Sequence, residues 1–158
     1  MIFNHTKLDW LLFVVAGSVS GYLTYQLIDY LKPPAIEIRT AEIIEDSAEP
    51  GDFFLIKTTY YKNYDCVGVW EFRAILPDGR VVRLDRRNAK NGLVEEAAGP
   101  LGTSPPGTTY SYTVELQVPI HATPGTMRVT ELDVCTGESD IMRSPVATIE
   151  VLARSSDE

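Results

Sequence analysis

The fold is decided by the stretch YSYTVELQV at residues 110–118, in which two kinds of side chain alternate. One face carries large apolar or aromatic residues and the other polar ones: Tyr112, Val114, Leu116 and Val118 against Thr113, Glu115 and Gln117. A period of two is typical of a β-strand with one face in a core and the other in solvent. The stretch therefore predicts a strand of an antiparallel sheet.

Six other segments have the alternation, or the β-branched and aromatic content, of short strands. They are residues 36–39, 53–61, 66–76, 80–84, 127–135 and 146–152. Turn signals separate them, such as Pro77-Asp78-Gly79, in which Pro presets one dihedral and Gly adopts a positive one. Seven short strands predict one antiparallel β-sandwich over residues 36–152, followed by a disordered tail at 153–158.

The segment 87–109 is the exception within this pattern. It is rich in residues that break regular structure: Gly92, Gly99, Pro100, Gly102, Pro105, Pro106 and Gly107. We expect a long, mobile loop there, and loops of this length are often functional or disordered.

Composition excludes several classes of protein. The chain has 158 residues, enough for one domain of ordinary size, and its 22 acidic against 14 basic residues give a formal charge of −8. That balance argues against a nucleic-acid binder, which needs a basic face. Two cysteines exclude a zinc site of four thiolates, and the sequence has no P-loop, GxGxxG or HExxH motif, so we predict no metal and no cofactor.

The N-terminal segment has a different character, because residues 10–28 carry no charge and lie between Asp9 and Asp29. A helix of that length spans about 28 Å, close to the thickness of bilayer hydrocarbon. This predicts a transmembrane anchor over residues 8–31, between a short tail at 1–7 and a Pro-rich linker at 32–35. A buried soluble helix is the alternative, although no polar face recurs at helical spacing.

A cleaved signal peptide is the second alternative for this segment, with a small-residue site near Ala16. The apolar run continues beyond it to Ile28, which favours an uncleaved anchor. The predicted localisation is a single-pass membrane protein with a cytoplasmic N-terminus and a periplasmic or extracellular C-terminal domain. Gly17 and Gly21 form a small-xxx-small pair, typical either of close helix packing in a homo-oligomer or of plain lipid exposure.

Two turn motifs carry a resemblance to a known family. Pro50-Gly51-Asp52 resembles the entry into strand B of bacterial and phage immunoglobulin-like domains, and residues 123–127 resemble the entry into strand F. The whole layout resembles small membrane-anchored proteins of tailed phages whose function is unknown. The resemblance implies an immunoglobulin-like scaffold and no activity, because such sandwiches host many unrelated functions.

In such a topology strands C and F are antiparallel neighbours, so Cys66 and Cys135 lie at adjacent strand ends. This predicts a disulfide between them, the alternative being two separate buried thiols. One conflict is visible in the last of these strands, where Glu131 and Asp133 share a face with Met127, Val129 and Cys135. A β-bulge near residues 130–132 would move the two acids to the solvent face.

Two surface segments are candidate binding sites. The first combines amphipathic and adaptable side chains at one end of the sandwich, namely Tyr60, Tyr61, Asn63 and Tyr64. Covering of the core edge is an equally good interpretation of these tyrosines. The second is a basic patch that faces an anionic surface or protects a sheet edge from aggregation, namely Arg80, Arg83, Arg86, Arg87 and Lys90.

These features favour a membrane-tethered, extracytoplasmic, non-enzymatic module that binds a protein or glycan through loops at the sandwich end. A hydrolytic enzyme that uses His121 with nearby carboxylates is one alternative. A structural membrane protein that self-assembles through Gly17 and Gly21 is the other.

Overall fold

The computed structural model describes residues 5–102, 104–136 and 141–154. Its elements are one helix and twelve strands within those ranges: α1 His5–Leu31, β1 Ile36–Ile43, β2 Ser47–Ala48, β3 Phe53–Lys62, β4 Gly68–Ile75, β5 Val81–Arg83, β6 Asp85–Arg87, β7 Val94–Glu96, β8 Ala98–Pro100, β9 Thr108–Gln117, β10 Gly125–Cys135, β11 Ile141–Arg143 and β12 Ala147–Val151. The chain divides into two units, residues 1–33 and residues 34–158.

The strands form two sheets. One has the order β1-β3-β9-β6-β7 and the other the order β2-β12-β10-β4-β5, with β11 paired to β10 and β8 paired to β4. The pairs are antiparallel except for β2 with β12. Side chains from both sheets build one core, among them Phe54, Ile56 and Leu116 from the first and Phe72, Met127 and Val129 from the second. Alternation along each long strand produces this core, because every second residue points inward.

The predicted fold class, a seven-stranded immunoglobulin-like sandwich preceded by a transmembrane helix, is wrong. The described residues contain twelve strands rather than seven. The additional strands are only two or three residues long, as in β2, β6, β7, β8 and β11. Elements of that length are too short to show a period of two in a sequence.

The short strands β7 and β8 interrupt the loop expected at residues 87–109. Gly92, at φ 71°, lies in the connection between β6 and β7, a backbone conformation that residues with a Cβ rarely adopt. Ala97 is fully buried between the sheets, where its N–H donates to the Leu84 carbonyl and its carbonyl accepts from the Phe72 N–H, both at 2.9 Å. The segment is thus held by backbone hydrogen bonds that its Gly and Pro content does not reveal.

The bulge expected near residues 130–132 is also wrong. Strand β10 pairs with β4 in continuous register from Arg128 opposite Ile75 to Cys135 opposite Gly68. Glu131 and Asp133 therefore stay on the inner face with Met127 and Val129. The alternation of residues 127–135, interpreted without a bulge, therefore correctly indicates that the two acidic side chains lie inside the domain.

The predicted transmembrane anchor is contradicted as well. Within the described residues, no helix combines the length and the apolar character that a bilayer span requires. Small and polar residues interrupt the apolar run of α1, including Gly17, Ser18, Ser20, Gly21, Thr24 and Gln26. This finding overturns the membrane and signal-anchor predictions and the single-pass localisation that depended on them.

The limits of the predicted tails differ from the structure. Helix α1 begins at His5, so the tail predicted at 1–7 is partly helical, and its first four residues lie outside the described residues. The tail predicted as disordered at 153–158 lies mostly outside the described part of the chain, which ends at residue 154.

Candidate functional site

A cleft of about 390 Å³ opens between the two sheets in the domain formed by residues 34–158. We call it the acidic cleft, and its lining combines carboxylates, aromatic rings and two cationic side chains: Ile36, Tyr60, Lys62, Trp70, Arg86, Pro100, Leu101, Gly102, Tyr112, Thr113, Val114, Glu131 and Asp133. A cavity of this size lies within the range of small-ligand sites in proteins.

Strand β10 places two carboxylates in this cleft. Glu131 and Asp133 are each only 3% exposed, and they follow Val129 on the inner face because alternate residues share one side of a strand. Cys135, the next residue on that face, belongs to a second apolar cluster with Ala35 and Ile36. The two acids therefore lie between two apolar clusters.

The hydrogen bonding of the pair is incomplete. The Tyr112 hydroxyl donates a short hydrogen bond to Glu131 Oε1. Glu131 Oε2 and Asp133 Oδ1 are buried and have no hydrogen-bond partner. Buried polar atoms are nearly always paired, and an unpaired one costs free energy of folding, so two unpaired carboxylate oxygens in one cavity require an explanation.

Burial also changes the ionisation of the pair. Loss of solvation, together with the nearby charge of Glu131, raises the pKa of Asp133 to about 8. Burial likewise raises the pKa of Glu131, although the hydrogen bond from Tyr112 opposes the increase. Burial and the two acids raise the pKa of the Tyr112 phenol, which therefore stays protonated and acts as a donor.

Aromatic rings form the walls of the cleft. The Tyr60 ring meets the Tyr112 ring edge-on at a centroid distance of 6.0 Å, and it stacks on Tyr110 at 5.4 Å. Trp70 lines the cleft from β4, and its ring lies so close to Gly99 that a Cβ there would approach it to 3.3 Å. Such rings provide rigid apolar surface with little conformational entropy to lose on binding.

The two cations at the cleft are engaged with other groups. Lys62 is buried, and its Nζ contacts Asp65 Oδ1 at 2.7 Å and donates to the Ser104 carbonyl at 2.6 Å. Arg86 pairs with Glu95 at 2.6 Å, and its guanidinium carbon lies 4.9 Å from the centre of the Trp70 ring. In the described part of the chain, the ion pairs of both cations are therefore made with acids other than Glu131 and Asp133.

A disulfide bond lies near the cleft. It joins Cys66 to Cys135, the two residues paired in the sequence analysis, with Cα atoms 5.6 Å apart. The bridge spans a sequence separation of 69 residues, and loops of this size are worth about 4 kcal/mol in the chain-entropy model. A second cavity, of about 420 Å³, adjoins the bridge and shares Lys62 and residues 100–102 with the acidic cleft.

The candidate binding loop is not a free loop. Tyr60 and Tyr61 belong to β3, where Tyr60 faces the cleft while Tyr61 lies under Arg39 with 4.7 Å between guanidinium and ring. Asn63 holds the chain before β1, because its Nδ2 donates to the Pro34 carbonyl at 2.7 Å. Tyr64 packs against the cluster around Cys135. Of the four residues, the structure brings Tyr60 to the cleft.

The candidate basic patch is largely neutralised by acidic partners. Four of its members form ion pairs: Arg80 with Asp78, Arg83 with Glu71 and Glu96, Arg86 with Glu95, and Arg87 with Glu115. Hydrogen bonds from Arg80 hold the pKa of Asp78 below its usual value. Lys90 follows β6, and its backbone N–H donates to Asn88 Oδ1 at 2.9 Å.

The remaining candidates lie away from the cleft. His121 occupies the connection between β9 and β10, at the opposite end of β10 from Asp133, beside a cavity of about 280 Å³. Asp78, a carboxylate near this connection, is held by Arg80 at 2.7 Å. On α1, a Cβ added at Gly17 or Gly21 would meet nothing within 4 Å, so neither glycine packs against described residues.

Sequence reasoning missed Glu131, Asp133, Tyr112 and Trp70 as site residues. The signal was present in the acids, which share the inward phase of Met127 and Val129. Sequence reasoning explained these inward-facing acids by a bulge. In the structure β10 has no such bulge beside β4, so both acids face inward and become candidate site residues.

Comparisons with known proteins leave the family open. No family model matches the chain, and no curated protein matches it. Two solved structures are similar at 15% identity. A family 123 glycoside hydrolase from Clostridium perfringens matches 68% of this chain and 22% of its own, with a TM-score of 0.43. The alkylpurine DNA glycosylase AlkC from Pseudomonas fluorescens, bound to DNA containing an abasic site analog, matches 82% and 33%, with a TM-score of 0.48. The chain thus spans a third or less of the length of these proteins, and similarity this low carries no functional argument.

Proposed function

We propose that the chain is a non-enzymatic interaction module that binds part of a protein or glycan partner in the acidic cleft. The observation that supports this proposal is that Glu131 and Asp133 both line the cavity and each keeps one buried carboxylate oxygen without a hydrogen-bond partner. A ligand that donates hydrogen bonds to these oxygens removes the cost of burying them.

The shape of the cleft supports the same proposal. Aromatic walls with a few convergent polar groups are typical of ligand sites. Tyr60, Tyr112 and Trp70 provide such walls, and each belongs to a long strand, β3, β9 and β4 respectively. A preformed site loses little conformational entropy on binding, which suits a recognition module.

A blocking substitution at the cleft tests the proposal. Gly102 lines the cleft, and among the described residues beyond its chain neighbours a Cβ there would meet Ser104 Oγ at 3.7 Å, so Gly102→Phe adds a ring at the cavity wall. We expect ligands selected from immobilised short glycans and random peptides to bind the full chain and to lose binding to Gly102→Phe.

Val81→Phe is the matched control, because Val81 is 61% exposed on the short strand β5 and gains the same ring outside the cleft. Ligands that bind Gly102→Phe and the unmodified chain equally well would refute the proposal. So would the absence of any selected ligand from both libraries.

A further inference from the structure

The geometry points to an alkylammonium group as the ligand of the acidic cleft, an inference that rests on the proposed function. The group is either a free small amine or the side chain of a lysine in a partner. Three features of the cleft support this chemistry: the unpaired oxygens, the local charge and the aromatic walls.

The unpaired oxygens require N–H or O–H donors. Glu131 Oε2 and Asp133 Oδ1 are both acceptors when ionised, and a primary ammonium carries three donors on one nitrogen. Hydrogen bonds between ionised partners are about twice as strong as those between neutral ones. An ammonium group therefore carries enough donors for both oxygens and a charge opposite to that of the ionised acids.

The local charge favours a cationic ligand. Among the described residues, the cations of the cleft make their ion pairs with other acids, Lys62 with Asp65 and Arg86 with Glu95, although the Nε of Arg86 is buried without a hydrogen-bond partner. When both are ionised, which for Asp133 requires a pH near or above 8, Glu131 and Asp133 add negative charge that no described ion pair cancels. A neutral sugar would satisfy hydrogen bonds but leave this charge buried, which is costly in an apolar site.

The aromatic walls favour an organic cation over a metal ion. Tyr60, Tyr112 and Trp70 line the cleft and offer apolar surface to an alkyl stem. A hard divalent cation takes six to eight oxygen ligands. In the ranges that the structure describes, no group of three or more His, Cys, Asp or Glu residues could hold one.

Binding should strengthen with increasing pH. The ionisable groups that face the pair are Tyr60 and Lys62 on β3, Arg86 on β6 and Tyr112 on β9. Asp133, with its pKa raised to about 8, loses its proton over the range in which an alkylammonium remains charged. An ammonium ligand selects the ionised pair, so affinity should rise until the pH passes that value.

Trp70 provides a direct reporter for the experiment. The chain has two tryptophans, and Trp10→Phe leaves Trp70 as the only fluorophore of this type. The probes are butylammonium, N-acetyl-lysine methylamide, 1-butanol, tetramethylammonium, chitotriose and Ca²⁺, each titrated into the full chain with this substitution. We expect the two primary amines to change Trp70 emission in a saturable way and the other probes to have little effect, since tetramethylammonium lacks N–H donors.

Asp133→Asn should weaken binding of butylammonium roughly tenfold to a hundredfold, because it removes a charged acceptor. Asp46→Asn is the matched control at an exposed aspartate, and it should leave binding unchanged. Tighter binding of the lysine derivative indicates a partner's side chain, whereas equal or tighter binding of butylammonium indicates a free amine.

Several outcomes would overturn the inference. Saturable binding of chitotriose or Ca²⁺ without binding of amines would refute the ammonium ligand while leaving the cleft a binding site. Amine binding that persists in Asp133→Asn would place the amine elsewhere. If no probe changes Trp70 emission and no selected ligand is sensitive to Gly102→Phe, the inference and the proposed function both fail.

Discussion

The inner face of β10 has two halves with opposite chemistry. Its first half carries Met127 and Val129, both fully buried in the main apolar core. Its second half carries Glu131 and Asp133, equally hidden from solvent but lacking partners for one oxygen each. One strand in continuous register thus serves both as part of the core and as the floor of a cleft.

The difference between the two halves shows how one strand, β10, can contribute to stability with one part and to a candidate binding site with the other. Apolar side chains in the first half gain free energy by leaving water, and they align the two sheets. The acids in the second half lose solvation, and the side-chain hydrogen bond described for them comes from Tyr112. Sites that destabilise the folded state while serving a ligand are a recurrent cost of function.

The largest change in the free energy of unfolding should follow from placing an acidic side chain in the apolar first half of β10. Val129→Asp introduces a carboxyl into a fully buried apolar position opposite Ala74 and Ala147. We expect a loss of at least about 4 kcal/mol, because the carboxyl would be buried within the main apolar core. Urea unfolding of the full chain, followed by far-UV circular dichroism, measures it. A loss below about 1 kcal/mol would show that the two halves are alike.

In the second half of β10, removing an acidic side chain should instead increase the free energy of unfolding at high pH. Asp133 has a folded-state pKa of about 8 against an ordinary value of 3.8. Between these values the folded state keeps a proton that the unfolded state has lost, so the free energy of unfolding falls as pH rises through this window. Asparagine does not titrate, and Asp133→Asn should therefore remove this decline.

The variant Asp133→Asn should match the unmodified chain near pH 4 and exceed it by about 2–3 kcal/mol at pH 8, since water in the cleft offsets part of the full linkage value. Urea unfolding at a series of pH values measures the difference, with Asp46→Asn as the control at an exposed site. Destabilisation by Asp133→Asn at pH 8 would mean that the carboxylate holds the fold together.

Much of the strand layout could be predicted from the sequence. The alternation in residues 110–118 and the apolar face of residues 70–76 describe long strands with one face in the core, and such patterns follow directly from the geometry of the pleat. The short strands could not be predicted. The backbone of Ala97, for example, is hydrogen-bonded to the backbones of Leu84 and Phe72. These residues are distant in sequence, so the contacts depend on the tertiary structure.

The candidate site was predictable only in part. Tyr60 was selected from composition, but its partners come from other strands, with Tyr112 on β9 and Trp70 on β4. A single sequence does not indicate that these three rings line the same cavity, because they lie on different strands. The acids did leave a trace in the pattern, and an acidic residue in phase with core residues is better interpreted as a buried polar site than as an irregular strand.

The smallest of the three effects concerns the hydroxyl that connects the two sheets at the cleft. Tyr112→Phe keeps the ring against Tyr60 and removes the donor to Glu131 Oε1. Both Glu131 oxygens then lack a partner, so we expect a loss of about 1–2 kcal/mol and a further rise in the pKa of Glu131, which this hydrogen bond holds down. The loss should be greater at pH 8 than at pH 5, because the hydroxyl stabilises the ionised carboxylate more than the protonated one. Glu131→Gln measured alone and together with Tyr112→Phe completes a double-mutant cycle that isolates this interaction. A coupling energy near zero at both pH values would show that Tyr112 serves the cleft only through its ring.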